Sequence, residues 1–282
     1  MFRIALTTLM STVVAFSAWS AEVNISGSTS VARVMDVLAE DYNKAHPETY
    51  IAVQGVGSTA GITLVKKGVA DLGMSSRYLT ESELDASLSV LTIAYDGLAV
   101  VVNQANPVKN VTRDQLFDIY KGKITNWKEV GGPDQRIAVV TREDSSGSRY
   151  SFESLLGLTK VIKGRLVSDI SPNNLVVNSN SMVKTIVNHN KQAIGFISTG
   201  SIDNSVKAIQ FEGTESNNDN IASGQYELAR PFIILYKTES IDEESQAFVD
   251  YLTSSAAKKR IEEYGYVAVD KSQEPIEPRD SE

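Results

Sequence analysis

The sequence predicts an α/β protein of two lobes, each a mostly parallel sheet flanked by helices, with a cleft between the lobes. Three observations predict it. Short apolar segments alternate with segments of helical apolar spacing along most of the chain. The strand candidates are almost continuously apolar, as strands covered by helices on both faces must be. About 260 residues follow the N-terminal leader, enough to bury two cores.

The leader reads "MFRIALTTLMSTVVAFSAWSAEV", with one positive residue, Arg3, an apolar run from Ile4 to Phe16, and small residues at Ala18 and Ser20. That pattern predicts a signal peptide over residues 1–20, cut after Ser20. The apolar run falls short of the roughly 20 residues of a membrane span, and no later segment approaches that length, so no membrane anchor is expected. The chain has no Cys, which excludes disulfides and a lipidated N-terminal Cys. Its formal charge is −8, or −9 without Arg3, which argues against a nucleic-acid partner or an anionic membrane surface. An anion can still bind to such a protein where local dipoles and one or two placed cations receive it.

Val23 to Ile25 is the first strand candidate, and Val31, Val34, Met35, Leu38 and Tyr42 then recur at helical spacing until His46-Pro47. Tyr50 to Val53 is a second strand, followed by the loop "GVGSTAG" and a helix from Ile62 to Lys67 that stops at Gly68. "ADLGM" predicts a third strand leading into Ser75-Ser76-Arg77, and Val90–Ala94 and Leu98–Asn103 are two further apolar runs. Thr112 and Gln115 fit a capping box that opens a helix through Tyr120. Ile137 to Thr141 is a strand, "SSGSR" its loop, and Tyr150 to Leu156 a helix. Leu175 to Val177, the loop "NSNSM", a helix to Asn188 and the strand Ala193 to Ile197 continue the alternation. Phe232 to Tyr236 is a strongly apolar strand, and Phe248 to Leu252 and Ile261 are helical. The expected organisation is a first lobe of residues 21–100 plus 230–270, a second lobe of residues 101–229, and a disordered tail, 271–282, with the polar sequence "SQEPIEPRDSE" at its core.

"GSTSV", "GVGSTAG" and "EDSSGSR" are small, hydroxyl-rich loops, each after a strand and before a helix. A helix N-terminus leaves N–H groups unpaired and carries partial positive charge, so such a loop is a natural anion seat. Ser and Thr are also the commonest helix caps, and one such loop alone indicates only capping. Loops after Ile25, Val53, Met74 and Thr141, however, all emerge at the carboxyl ends of strands, where open α/β sheets bind ligands. With Arg142 at the end of one of those strands, they predict a shared small oxyanion, since a guanidinium suits its paired oxygens.

In order, "GSTSV", "QGVGSTAG", "ADLGMSSR", "AYDGLAVVVN", "ITNWKEVGG", "VVTREDSSGSR" and "AIGFIS" resemble the periplasmic phosphate-binding proteins of phosphate ABC transporters, in their shorter bacterial form. The likeness spans about Val23 to Val267. It implies the type II periplasmic-binding-protein fold, inorganic phosphate as ligand, the permease of a phosphate ABC transporter as membrane partner, a monomer, and a periplasmic location. It implies Thr29 and Ser30 as ligand residues in the first loop and Ser58 in the second. Arg142, Ser146, Gly147 and Ser148 match the Arg-x-Asp-x-Ser-Gly-Thr segment, with Ser148 in place of Thr and Asp144 as the partner that orients Arg142. Ser76 stands where longer relatives have an Asp that accepts the phosphate proton.

Another exported oxyanion binder, for sulfate, molybdate or a phosphonate, is the alternative within the binding class, as is a binder that signals or adheres. A secreted hydrolase is the rival from another class. A serine nucleophile needs a base, and the two histidines, His46 and His189, lie outside the strand-end loops. There is no Gly-x-Ser-x-Gly elbow, metal-ligand spacing or nucleotide loop, so no catalytic residue, cofactor or metal is expected. Trp127, Tyr42, Tyr95 and Tyr120 are expected in packing, and Arg77 and Arg149 either beside the anion site or in surface ion pairs.

Overall fold

The computed structural model describes residues 21–163 and 165–269; the expected signal peptide and tail lie outside them. The chain opens with β1 (Ala21–Gly27), α1 (Thr29–Ala45), β2 (Thr49–Gly55), α2 (Ser58–Lys66), β3 (Leu72–Ser75) and the long β4 (Leu88–Val102). It continues through β5 (Asn110–Val111), α3 (Arg113–Lys121), β6 (Ala138–Arg142), α4 (Gly147–Leu156) and a hairpin of β7 (Thr159–Ile162) and β8 (Arg165–Ser168). β9 (Leu175–Val177), α5 (Asn180–His189), β10 (Ala193–Ser198), β11 (Lys207–Phe211) and α6 (Asn218–Ala222) follow. β12 (Ala229–Lys237), α7 (Glu243–Leu252), α8 (Ser255–Glu263) and β13 (Val267–Ala268) complete it.

The local chemistry accounts for these elements. α1 starts where Ser28 Oγ accepts the N–H groups of Ser30 and Val31 and ends at His46, before Pro47. Its stripe of Val31, Val34, Met35, Leu38 and Tyr42 is buried. α3 has both halves of the capping box, Thr112 with Gln115, and stops at Gly122, whose φ of 77° suits a left-handed cap. α2 begins at Ser58, four residues before the apolar signal, because Ser-Thr-Ala-Gly is compatible with helix and its first turn borders the cleft.

Eight of the described strands form one continuous path, β2-β1-β3-β12-β4-β10-β6-β9, with β11 and β13 added against β4, β5 against β11, and β7-β8 apart. β2, β1 and β3 are parallel, as are β10, β6 and β9. The antiparallel pairs of this path all involve β4 or β12. β4 is one strand where two apolar runs were expected, since Tyr95-Asp96-Gly97 interrupts the apolar pattern but not the pairing. Residues Leu88 to Gly97 pair with β12, and Leu98 to Val102 pair with β10. β4 and the start of β12 therefore carry the chain between two lobes with separate cores.

One core gathers Ile25, Met35, Leu38, Phe232 and Phe248. A second gathers Tyr120, Trp127, Phe152, Phe196 and Phe211, with Phe152 stacked on Phe196 at 4.0 Å between ring centroids, and two smaller clusters form around Val140 and Val183 and around Ile62 and Leu235. Fully burying each such side chain contributes roughly 1.5–3 kcal/mol, so packing is a large favourable term in each lobe. Tyr42, Tyr95, Tyr120 and Trp127 are all buried. The β7–β8 hairpin had no legible signal because its apolar residues, Val161, Ile162 and Leu166, face outwards.

Candidate functional site

Four helices begin at the carboxyl ends of their preceding strands: α1 after β1, α2 after β2, α4 after β6 and α5 after β9. Their first residues are Thr29, Ser58, Gly147 and Asn180, and Ser76 directly follows β3. Contacts between the lobes show that these points converge. Ser30 Oγ lies 3.2 Å from Ser148 Oγ and accepts from Asn180 Nδ2 at 3.1 Å. Arg142 Nη2 donates to Thr29 Oγ1 at 3.2 Å, and the Thr59 N–H donates to the Ser145 carbonyl at 3.3 Å. Within the first lobe, Ser28 Oγ donates to Ser76 Oγ at 2.8 Å, and the Ser76 N–H donates to Ser58 Oγ at 3.1 Å.

Gly147 permits the approach. A Cβ there would lie 2.3 Å from Ser58 Oγ and 2.6 Å from Ser76 Oγ, closer than real carbon and oxygen atoms come. Ser58 and Ser76 are 0% exposed and Arg142 1%, so the cluster is desolvated and its dipoles act at low dielectric. Each helix N-terminus can favour a nearby anion by about 0.3–1 kcal/mol, and by more where partly buried.

Thr29, Ser30, Ser58, Ser76, Arg142, Gly147 and Ser148 are thus brought together. Ser146 adjoins them, but its Oγ caps α4 by accepting the Arg149 N–H. Asp144 is a correction. A turn closed by the Ser146 N–H on the Glu143 carbonyl puts Asp144 at its outer corner, where the side chain is 94% exposed and pairs with Arg149 at 2.5 Å. Glu143 takes the expected role, receiving Arg142 Nε and Nη2, both at 3.0 Å. Arg142 also donates to the Asn178 carbonyl and to Asn180 Oδ1.

Both Arg77 and Arg149, expected beside the anion site or in surface ion pairs, are held in ion pairs, Arg77 in a buried one and Arg149 in part with exposed Asp144. Arg77 is buried, forks onto Glu83 and lies over the Tyr150 ring at 4.8 Å. Arg149 donates to Glu153 at 2.6 Å and to the Arg142 carbonyl at 3.1 Å, so it braces the end of β6. Burial pushes the Glu153 carboxyl above its ordinary pKa, while Arg149 pulls in the other direction.

Sequence reasoning missed Ser28, Glu143, Asn180 and the buried pair Asp96–Arg230. "NSNSM" carried a signal for Asn180, being another strand-to-helix loop, and an Asp in the apolar run "AYDGLAVVV" was one for Asp96. The histidines serve no serine of the cluster: His46 stacks on Tyr42, and His189 Nδ1 meets the Thr185 carbonyl.

Comparison with known proteins matches residues 15–256 to the PBP superfamily domain. The phosphate-binding protein PstS of Borreliella burgdorferi is 31% identical over 251 residues, 88% of this chain and 90% of that protein. The chain belongs to the PstS family of phosphate-binding proteins. Another PstS, from Bacillus subtilis, is 32% identical over 89% of this chain and 81% of its own length. Among solved structures, an ABC-type phosphate transport receptor from Vibrio cholerae is 66% identical, with a TM-score of 0.76, over 88% of this chain and all of that one. A putative phosphate ABC transporter substrate-binding protein from Clostridium perfringens, solved with bound phosphate, is 38% identical with a TM-score of 0.83 and the same coverage. Both share the fold described above. In this PstS family member, no helix among the described residues is long and apolar enough to cross a membrane.

Proposed function

We propose that this chain binds inorganic phosphate between its lobes and delivers it to the membrane permease of an ABC importer, as a periplasmic, monomeric receptor without catalytic activity. The observation that carries this reading is the meeting, in one cluster, of half-buried Thr29 and buried Ser30, Ser58 and Ser76 from one side of the cleft with buried Arg142, Gly147 and Ser148 from the other. Ser146 supports them by ordering the first turn of α4. The names of the PstS relatives and the phosphate in the Clostridium perfringens structure support the choice of ligand.

The proposed lobes are residues 21–100 plus 230–270 and residues 101–229. Phosphate held by groups of both lobes stabilises the closed arrangement by its differential affinity for it; closure of periplasmic binding proteins by hinge motion is a known case. Arg142 supplies the charge and directionality, hydroxyls and helix N–H groups supply the remaining donors, and Glu143 orients the guanidinium.

Calorimetric titration of phosphate-stripped protein with phosphate, sulfate and a phosphate ester tests this reading. Tight phosphate binding without ester turnover supports it. Preference for sulfate would move the ligand to another oxyanion, and hydrolysis of the ester would replace the carrier with an enzyme.

A further inference from the structure

Asp96 and Arg230 are directly opposite in the register of β4 and β12, the two strands that join the lobes. Both are buried, at 0% and 2% exposure. Asp96 Oδ2 receives Arg230 Nε at 3.0 Å and Nη2 at 2.8 Å. Its Oδ1 receives Ser198 Oγ, the Thr199 N–H and Thr199 Oγ1 at 2.9–3.1 Å, so every lone-pair direction of the carboxylate is met. Desolvating two charges is costly, and replacing such a pair by apolar residues is often neutral or stabilising. The fold therefore gains little from the pair as a staple, and its third nitrogen suggests another use.

Arg230 Nη1 leaves the pair and donates to Ser148 Oγ at 2.7 Å, with the Ser76 carbonyl at 3.4 Å. Ser148 Oγ faces Ser30 Oγ, which accepts from Asn180. A hydroxyl has one proton and two lone pairs. Each of these two oxygens thus has a lone pair committed to an N–H, which biases both hydroxyls towards donating. One bond between them uses one proton and leaves the other for an anion. Donors fixed in direction before the ligand arrives bind it without reorganisation.

We propose that Arg230, held by Asp96 on the connecting strands, is a positioning residue of the anion site that acts through Ser148 by presetting its hydroxyl as a donor. The inference rests on the phosphate reading above. A lysine at 230 keeps the charge but ends in one nitrogen, which cannot reproduce the planar fork that spans Asp96 and Ser148 together.

The test is a double-mutant cycle read by phosphate calorimetry on wild type, Arg230→Lys, Ser148→Ala and the double variant, with thermal unfolding as the fold check. Arg230→Lys is expected to weaken phosphate binding about tenfold, the loss of one well-placed hydrogen bond of about 1.4 kcal/mol. In the Ser148→Ala background the same substitution should change affinity by less than about threefold, because the group it acts through is gone. Equal losses in both backgrounds, wild-type affinity in Arg230→Lys, or wild-type affinity in Ser148→Ala would each overturn the proposal. If Arg230→Lys does not fold, the cycle is run with Asp96→Asn, which loosens Arg230 while keeping its charge, and the same outcomes decide. Wild-type protein that binds no phosphate overturns the functional reading as well; binding without coupling overturns only this inference.

Discussion

Replacing Gly147 by Ala adds one methyl group at the tightest point between the lobes. The new Cβ would stand 2.3 Å from Ser58 Oγ, 2.6 Å from Ser76 Oγ and 3.0 Å from Ser58 Cβ. The Ser58 hydroxyl can rotate, but Ser58 Cβ is tied to the first turn of α2, and Ser76 Oγ is already held by Ser28. Moving these groups is an overpacking problem, which costs about 1–3 kcal/mol, and that corresponds to roughly 5- to 150-fold weaker binding. The cost applies to the closed arrangement only, since the clashing serines lie on the other lobe and separate when the cleft opens. Gly147 has no left-handed φ, and alanine is a good helix former, so the fold itself should tolerate the change. Calorimetry should therefore show the affinity loss, while thermal unfolding without phosphate stays at the wild-type midpoint. Unchanged affinity would refute the reasoning, because it would mean that the ligand-bound lobes do not approach as closely as they do here.

Small-angle scattering should show compaction of the wild type on saturation with phosphate and a smaller change for Gly147→Ala; no compaction of the wild type would contradict a ligand shared by two moving lobes. A hydroxyl can accept or donate, so Ser76 should discriminate between protonated phosphate and sulfate only about 10²-fold, where a rigid carboxylate acceptor could reach roughly 10⁴-fold. Sulfate in large excess should compete with phosphate in the wild type and much less in Ser76→Asp, and failure to compete at roughly 10⁴-fold excess would place the acceptor elsewhere. Burial raises the Glu83 carboxyl, but hydrogen bonds from Arg77 and Thr80 outweigh it and hold the group below its ordinary value of 4.5. A lowered folded pKa stabilises above the unfolded value and is lost as pH falls through the folded one. Acidification from neutral pH should therefore lower the melting temperature of the wild type more than that of Glu83→Gln, and parallel losses would contradict the shift.

Much of this arrangement was legible in the sequence because it is written locally. The apolar spacing of Val31 to Tyr42, the Thr112–Gln115 capping box and the Gly- and Ser-rich strand-to-helix loops each need only a few neighbouring residues to state their structure. Seven of the candidate site residues meet for the same reason, since strand-end loops of α/β sheets share one side. What was missed depends on distant partners or on local turn geometry. Asp96 and Arg230 are 134 positions apart and meet only through the β4–β12 register. Whether Glu143 or Asp144 serves Arg142 depends on one β-turn, which directs the first inwards and the second to solvent. β4 read as two runs because the polar residue that splits it, Asp96, is compensated by a guanidinium from another strand.

The central claim, phosphate bound at Arg142 between the lobes, is tested most directly by calorimetric titration of Arg142→Ala with phosphate. Removing the guanidinium leaves Glu143 without its partner and a desolvated dianion facing neutral donors. Truncating one partner of a buried charged pair commonly costs about 2–5 kcal/mol, or roughly 30- to 5,000-fold in affinity. The account predicts a loss in that range, with binding intact in His46→Ala and His189→Ala. Wild-type phosphate affinity in Arg142→Ala would contradict it.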